Sequence, residues 1–177
     1  MTDNSNNHRR MINTARAEIN EVDILLHPHR DTSPAIRALE DTALALLDGE
    51  ELLICRYGMA ESGDNGSRLV EFVALTEDGV VTASFRIDDH KPGPVSVRMR
   101  RWSHACEWGF VNSVGYSTDG LSPYEDRPDV TTLMVQFAHG EGPLELRAGT
   151  PFGTLRFVWD ELLRIVKAIR EGAATTH

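Results

Sequence analysis

The chain has 177 residues, 41% of them hydrophobic and 25% charged, an ordinary globular balance in a length that encloses a core without disulfides or a structural metal. Its net charge of −9 repels a phosphate backbone, which demands a basic surface, so the composition argues against nucleic acid as a partner. No apolar run approaches the roughly 18 residues of a membrane helix, which argues against membrane insertion.

The opening residues are polar and no apolar stretch follows Arg9 and Arg10, so no secretory signal is read and the expected compartment is the cytoplasm. Residues 1–9 offer little apolar area to offset the entropy of ordering and are expected to be a disordered tail. Ile12, Ala15, Ile19, Val22 and Leu26 then recur at three- and four-residue steps, which predicts a helix that His27-Pro28 stops. A second helix is punctuated by Ser33 as cap, Pro34 at the first helical position and Gly49 at the end. Its predicted apolar face is Ile36, Leu39, Ala43, Leu46 and Leu47. Residues 10–49 thus read as an N-terminal helical hairpin.

From about 51 the hydrophobic period changes to two, and segments rich in β-formers alternate with Gly, Pro, Asn and Asp. About seven strands follow, over 51–58, 68–77, 80–87, 95–102, 107–116, 131–138 and 143–148. Glu77-Asp78-Gly79 marks a tight hairpin, with Gly79 expected to supply a positive φ. His139-Gly140-Glu141-Gly142 marks a longer one. Two longer loops, 61–67 and 118–130, are polar connections of the kind that carry function more often than short ones do.

The last element has the clearest pattern: Leu155, Val158, Trp159, Leu162, Ile165, Val166 and Ile169 form one helical face. Arg164, Lys167 and Arg170 complement the macrodipole near its C-terminal end, and Gly172 is expected to terminate it.

The segments Leu52-Leu53-Ile54-Cys55-Arg56-Tyr57, Val73 to Thr82 with its central Glu77-Asp78-Gly79 turn, and Trp159-Asp160-Glu161-Leu162-Leu163 carry a resemblance to the pleckstrin-homology-like superfold of bacterial proteins. The resemblance covers residues 50–172 to within a residue or two and leaves the helical hairpin outside. It implies an α+β fold in which an antiparallel sheet of about seven strands forms an open barrel with a C-terminal capping helix. A sheet with helices on one face, such as a cystatin-like cone, is the alternative. In phosphoinositide-binding members the basic residues cluster near the first hairpin loop; here Glu61 to Ser67 is acidic and lacks Lys and Arg, so no lipid role is implied.

Within 95–102, alternation places Val95, Val97 and Met99 on one face and Ser96, Arg98, Arg100 and Trp102 on the other. Arg98, Arg100 and Trp102 are therefore the candidate partner-binding residues, since guanidiniums grip acidic groups with a bidentate fork. A solvated charged face is the simpler reading of the same pattern. His104 and Cys106 stand two residues apart, as do His27 and His29, but no CxxC spacing accompanies them and no metal site is assigned. Cys55 and Cys106 are expected to be reduced and partly buried. Cys106 with His104 or His139 is the one pairing that could serve a thiol nucleophile.

Gly149 to Thr154 lacks the Lys and spacing of a phosphate cradle, and the acids of 124–129 lack the alternation of a calcium loop, so no cofactor is assigned. Trp108, Phe110 and Tyr116 are expected on the core side of one strand. The function read from these features is a non-catalytic protein-interaction module engaging a protein partner. The alternatives are a small ligand-binding protein or enzyme with a cone-shaped pocket, and an acidic inhibitor or immunity-type protein. Oligomeric state is not legible.

Overall fold

A computed structural model describes residues 6–15, 33–47, 49–62, 67–89, 91–113, 130–138, 142–148 and 156–174. Helix α1 spans 6–15 and so begins inside the segment expected as a tail. The reason is His8, which shares a face with Ile12 and Ala15 and is buried with them, a role that counting apolar residues alone does not credit. The predicted continuation through Leu26 lies outside the described residues. Helix α2, Ser33–Leu47, packs Leu39, Ala43 and Leu47 inward, and Gly49 beyond it has φ +84°. Leu46 is exposed instead of buried, because the inward stripe is completed by Glu40, whose carboxylate accepts a 2.7 Å hydrogen bond from the Tyr57 hydroxyl.

The strands are β1 Leu52–Ser62, β2 Ser67–Thr76, β3 Gly79–Asp88, β4 Lys91–Pro92, β5 Ser96–Arg101, β6 Ala105–Ser113, β7 Val130–Phe137, β8 Leu144–Ala148 and β9 Arg156–Phe157. The seven long ones overlap the seven predicted spans, but β1 runs on through Glu61 and Ser62, which were expected in a loop, and residues 114–116 lie outside the described residues; β4 and β9 are two-residue additions with no pattern to announce them. A first sheet runs β1-β2-β3 and continues to β4 and β5, both paired with β3. A second sheet has the order β6-β7-β8-β9. All pairings are antiparallel except β8 with β9. Among the described residues the strands form two separate sheets and no closed barrel.

Three layers follow from which faces are apolar. Phe72 and Ala74 of β2 and Val81 and Ala83 of β3 face α1 and α2, while Val73, Leu75 and Val80 join a second cluster with β7, β8 and α3. The first sheet is thus buried on both sides, which is why β2 reads as a nearly continuous apolar run. Helix α3, Trp159–Ala174, buries Leu162, Ile165, Ala168 and Ile169 in that second cluster. Its start is held by Glu161, which accepts from the Val158 N–H at 3.0 Å and ion-pairs with Arg56 of β1.

The β5–β6 corner is made by a short 3-10 turn, Trp102–His104. Strand β5 ends at Arg101, and Trp102, at the start of the turn, stays on the side of Arg98 and Arg100, which at this end is covered by the second sheet and α3. It is fully buried, donates its indole N–H to the Thr76 carbonyl at 3.1 Å and stacks on Phe137. This corrects the expectation that Trp102 shares an exposed face with the arginines. Two glycines allow close packing at this corner. A Cβ on Gly79 would overlap the Arg100 carbonyl oxygen, so close approach, with no positive φ, explains that residue. A Cβ on Gly172 would lie 2.7 Å from Trp102 Cβ; the helix runs past this position to Ala174, so Gly172 is a packing residue and not the terminator.

Candidate functional site

Register builds the site. Glu71 of β2 lies opposite Ser84 of β3, which lies opposite Ser96 of β5; in the next row Val73, Thr82 and Arg98 are aligned. Arg100 follows opposite Val80. These residues share the face that looks toward the second sheet, because Val73 and Val80 belong to the cluster between the sheets. That face is apolar where the sheets meet and polar beyond. Pro143, Leu144 and Glu145, at the start of β8, form the opposite wall of a cleft of about 410 Å³.

Arg98 is exposed at the mouth, and Arg100 is half-buried with its guanidinium 5.4 Å from the Phe137 ring centroid. The two arginines predicted from alternation do share a surface, and Val95, Val97 and Met99 pack against the opposite cluster. Thr82, Ser84 and Ser96 place hydroxyls between them and Glu71. Burial pushes the Glu71 carboxyl above its ordinary value, and the Arg147 guanidinium pulls it partway back. Arg147 also reaches Glu145 at 3.2 Å. The lining therefore alternates cations, carboxyls and hydroxyls. Ser96 was placed beside the arginines by alternation, whereas Glu71, Thr82, Ser84 and Glu145 escaped the sequence reading because the strands that carry them are brought together only by pairing.

A second groove of about 540 Å³ is lined by Ser103, Ala105, Cys106, Trp108, Arg170, Ala173 and Ala174. Cys106 is exposed, contrary to expectation, with its thiol 3.4 Å from the Gln136 carbonyl oxygen; Cys55 is buried. The reason is position: among the described residues β6 is a terminal strand, so its side chains have strand neighbours on one flank only. His104 is exposed too. Among the described residues no three His, Cys, Asp or Glu side chains are grouped to hold a metal ion. His27, His29, His139, Tyr116, the acids of 124–129 and Gly149 to Thr154 lie outside the described residues. No helix among the described residues is long and apolar enough to cross a membrane.

No protein-family model, curated protein or solved structure matches the chain.

Proposed function

We propose that the chain is a non-catalytic protein-interaction module of pleckstrin-homology-like plan, whose cleft receives a partner segment bearing an acidic side chain. The observation that carries this reading is the convergence of Arg98, Arg100 and three hydroxyls on one open cleft between the sheets. A guanidinium pair recognises a carboxylate by paired hydrogen bonds, and the hydroxyls can bond the main chain beside it. Glu71 and Glu145 in the same lining would repel the several charges of a polyphosphate, which favours a single carboxylate flanked by N–H donors, as in a peptide. The described lining holds no imidazole, thiol or amine. The plan rests on seven long strands in two antiparallel sheets followed by a helix that packs against both.

The test is an NMR titration with a pool of short peptides that each carry one Glu, beside the same pool with Gln. Shifts confined to residues 82–84 and 96–100, weakening with added salt and lost by at least about tenfold in Arg98→Ala, Arg100→Ala, are the expected result. Equal response to the Gln pool, or binding that survives loss of both arginines, overturns the reading.

A further inference from the structure

Strand β6 ends the second sheet, and among the described residues nothing pairs with its outer edge. Edge strands are normally protected by shortness, proline or several charges. This one has nine residues, no proline and a single charge, Glu107. Its side chains are also incompletely covered. Trp108 and Phe110 lie opposite Val135 and Leu133 and so face the core side, yet they remain 39% and 41% exposed, and Val111 is 55% exposed. Phe110 packs on Trp159 with ring centroids 5.1 Å apart, which joins this strand to the exposed Val158, Trp159 and Leu163 at the start of α3.

From this edge we infer that the chain forms a two-fold homodimer in which β6 pairs antiparallel with the β6 of a second copy, centred on Gly109. Three features specify a second copy as the occupant. The strand is self-complementary about Gly109: Trp108 of each copy falls opposite Phe110 of the other, an aromatic pair repeated by symmetry, and Glu107 falls opposite Val111, so no like charges meet. Five exposed apolar residues on the core side of this edge and Val111 on its other face present roughly 500 Å² per chain, so a pair that covered both faces of the edge would enclose about 1,000 Å² of total surface, the lower bound for a specific interface. A Cβ on Gly109 would meet nothing within 4 Å, so no contact among the described residues accounts for a glycine in mid-strand, where glycine often marks the approach of another backbone.

This dimer is independent of the cleft and has the opposite salt response. Its contacts are apolar and each copy carries −9, so added salt strengthens it while weakening carboxylate binding at the arginines. Sedimentation equilibrium of the full chain is expected to show a monomer–dimer equilibrium. Trp108→Lys with Phe110→Lys should weaken it at least about tenfold, and Leu46→Lys, at an exposed position on α2, should leave it unchanged. In a Cys106→Ser background, Gly109→Cys should cross-link on oxidation. A residue opposite its own copy has a Cα separation of about 4.5–5.5 Å, within disulfide reach. Val111→Cys, displaced from the axis, should not. A monomer at every concentration, a dimer indifferent to the lysine pair, or equal cross-linking at both positions overturns the inference.

Discussion

Trp102 and Trp108 stand on adjoining elements, yet the first is fully enclosed and the second is 39% exposed. The β5–β6 corner is surrounded: β2 accepts the Trp102 indole hydrogen bond, β7 stacks Phe137 against it, and α3 presses Gly172 to its Cβ. The β6 edge has β7 on one side and no described strand on the other. Two tryptophans in one stretch of sequence therefore serve different ends. The first closes the core, and the second belongs to a surface that is complete only when something covers it.

Truncating each tryptophan breaks the comparison most directly. Trp102→Ala should cost about 3–5 kcal/mol, the range for a large aromatic lost from a close-packed site, and Trp108→Ala about 1–2 kcal/mol, both read by urea denaturation of dilute protein. Similar midpoints for the two variants would mean that the corner is not the packing centre. Gly172→Ala sharpens the same point. Alanine ordinarily stabilises a helix interior by about 1 kcal/mol, but here the added methyl meets Trp102 Cβ at 2.7 Å, so a net loss of about 1–2 kcal/mol is expected. A variant more stable than the parent would show slack between α3 and the corner.

The cleft arginines separate in the same manner on a smaller scale. Arg98 is exposed and its removal should change stability by less than about 1 kcal/mol, whereas Arg100→Ala also gives up its contact with Phe137 and should cost about 1–2 kcal/mol. Thermal melts of the two single variants order them; the reverse order would place the wrong arginine at the mouth.

Glu71 gives the smallest effect and a pH signature. Burial raises its folded-state value above the ordinary 4.5, so the folded chain retains a proton that the unfolded chain has released. Stability therefore falls as pH rises from 4.5 through the raised value. Glu71→Gln should melt higher than the parent at pH 7, with the gain shrinking as pH approaches 4.5. A constant difference across that range would assign the effect to something other than this carboxyl.

The long strands, the place of the turn at Glu77 to Gly79, the end of α2 and the inward positions Leu162, Ile165 and Ile169 of α3 were legible because alternation and helical spacing are local properties, whereas Gly79 has no positive φ and Val158 and Trp159 of the expected helix face are exposed. The opposed faces of Val97 and Met99 and of Arg98 and Arg100 were legible for the same reason, since a period of two leaves no other choice within one strand. What stands across from a residue is not local. Phe137, Glu71 and Glu145 come to the arginines from three other strands, and nothing in 95–102 refers to them.

By itself the sequence determined an α+β chain with seven long strands in order, a closing amphipathic helix and the side of β5 on which two guanidiniums would stand. Only the tertiary structure decided that the face of Trp102 is covered by the second sheet, that Gly172 lies against it, that His8 and Glu40 complete buried helix faces, and that Cys106, Trp108 and Phe110 stay in the open. The physical reason is that periodicity states which side chains share a face, whereas burial depends on whether another layer covers that face. In β2 both faces are covered, and in β6, at the end of its sheet, neither is covered completely.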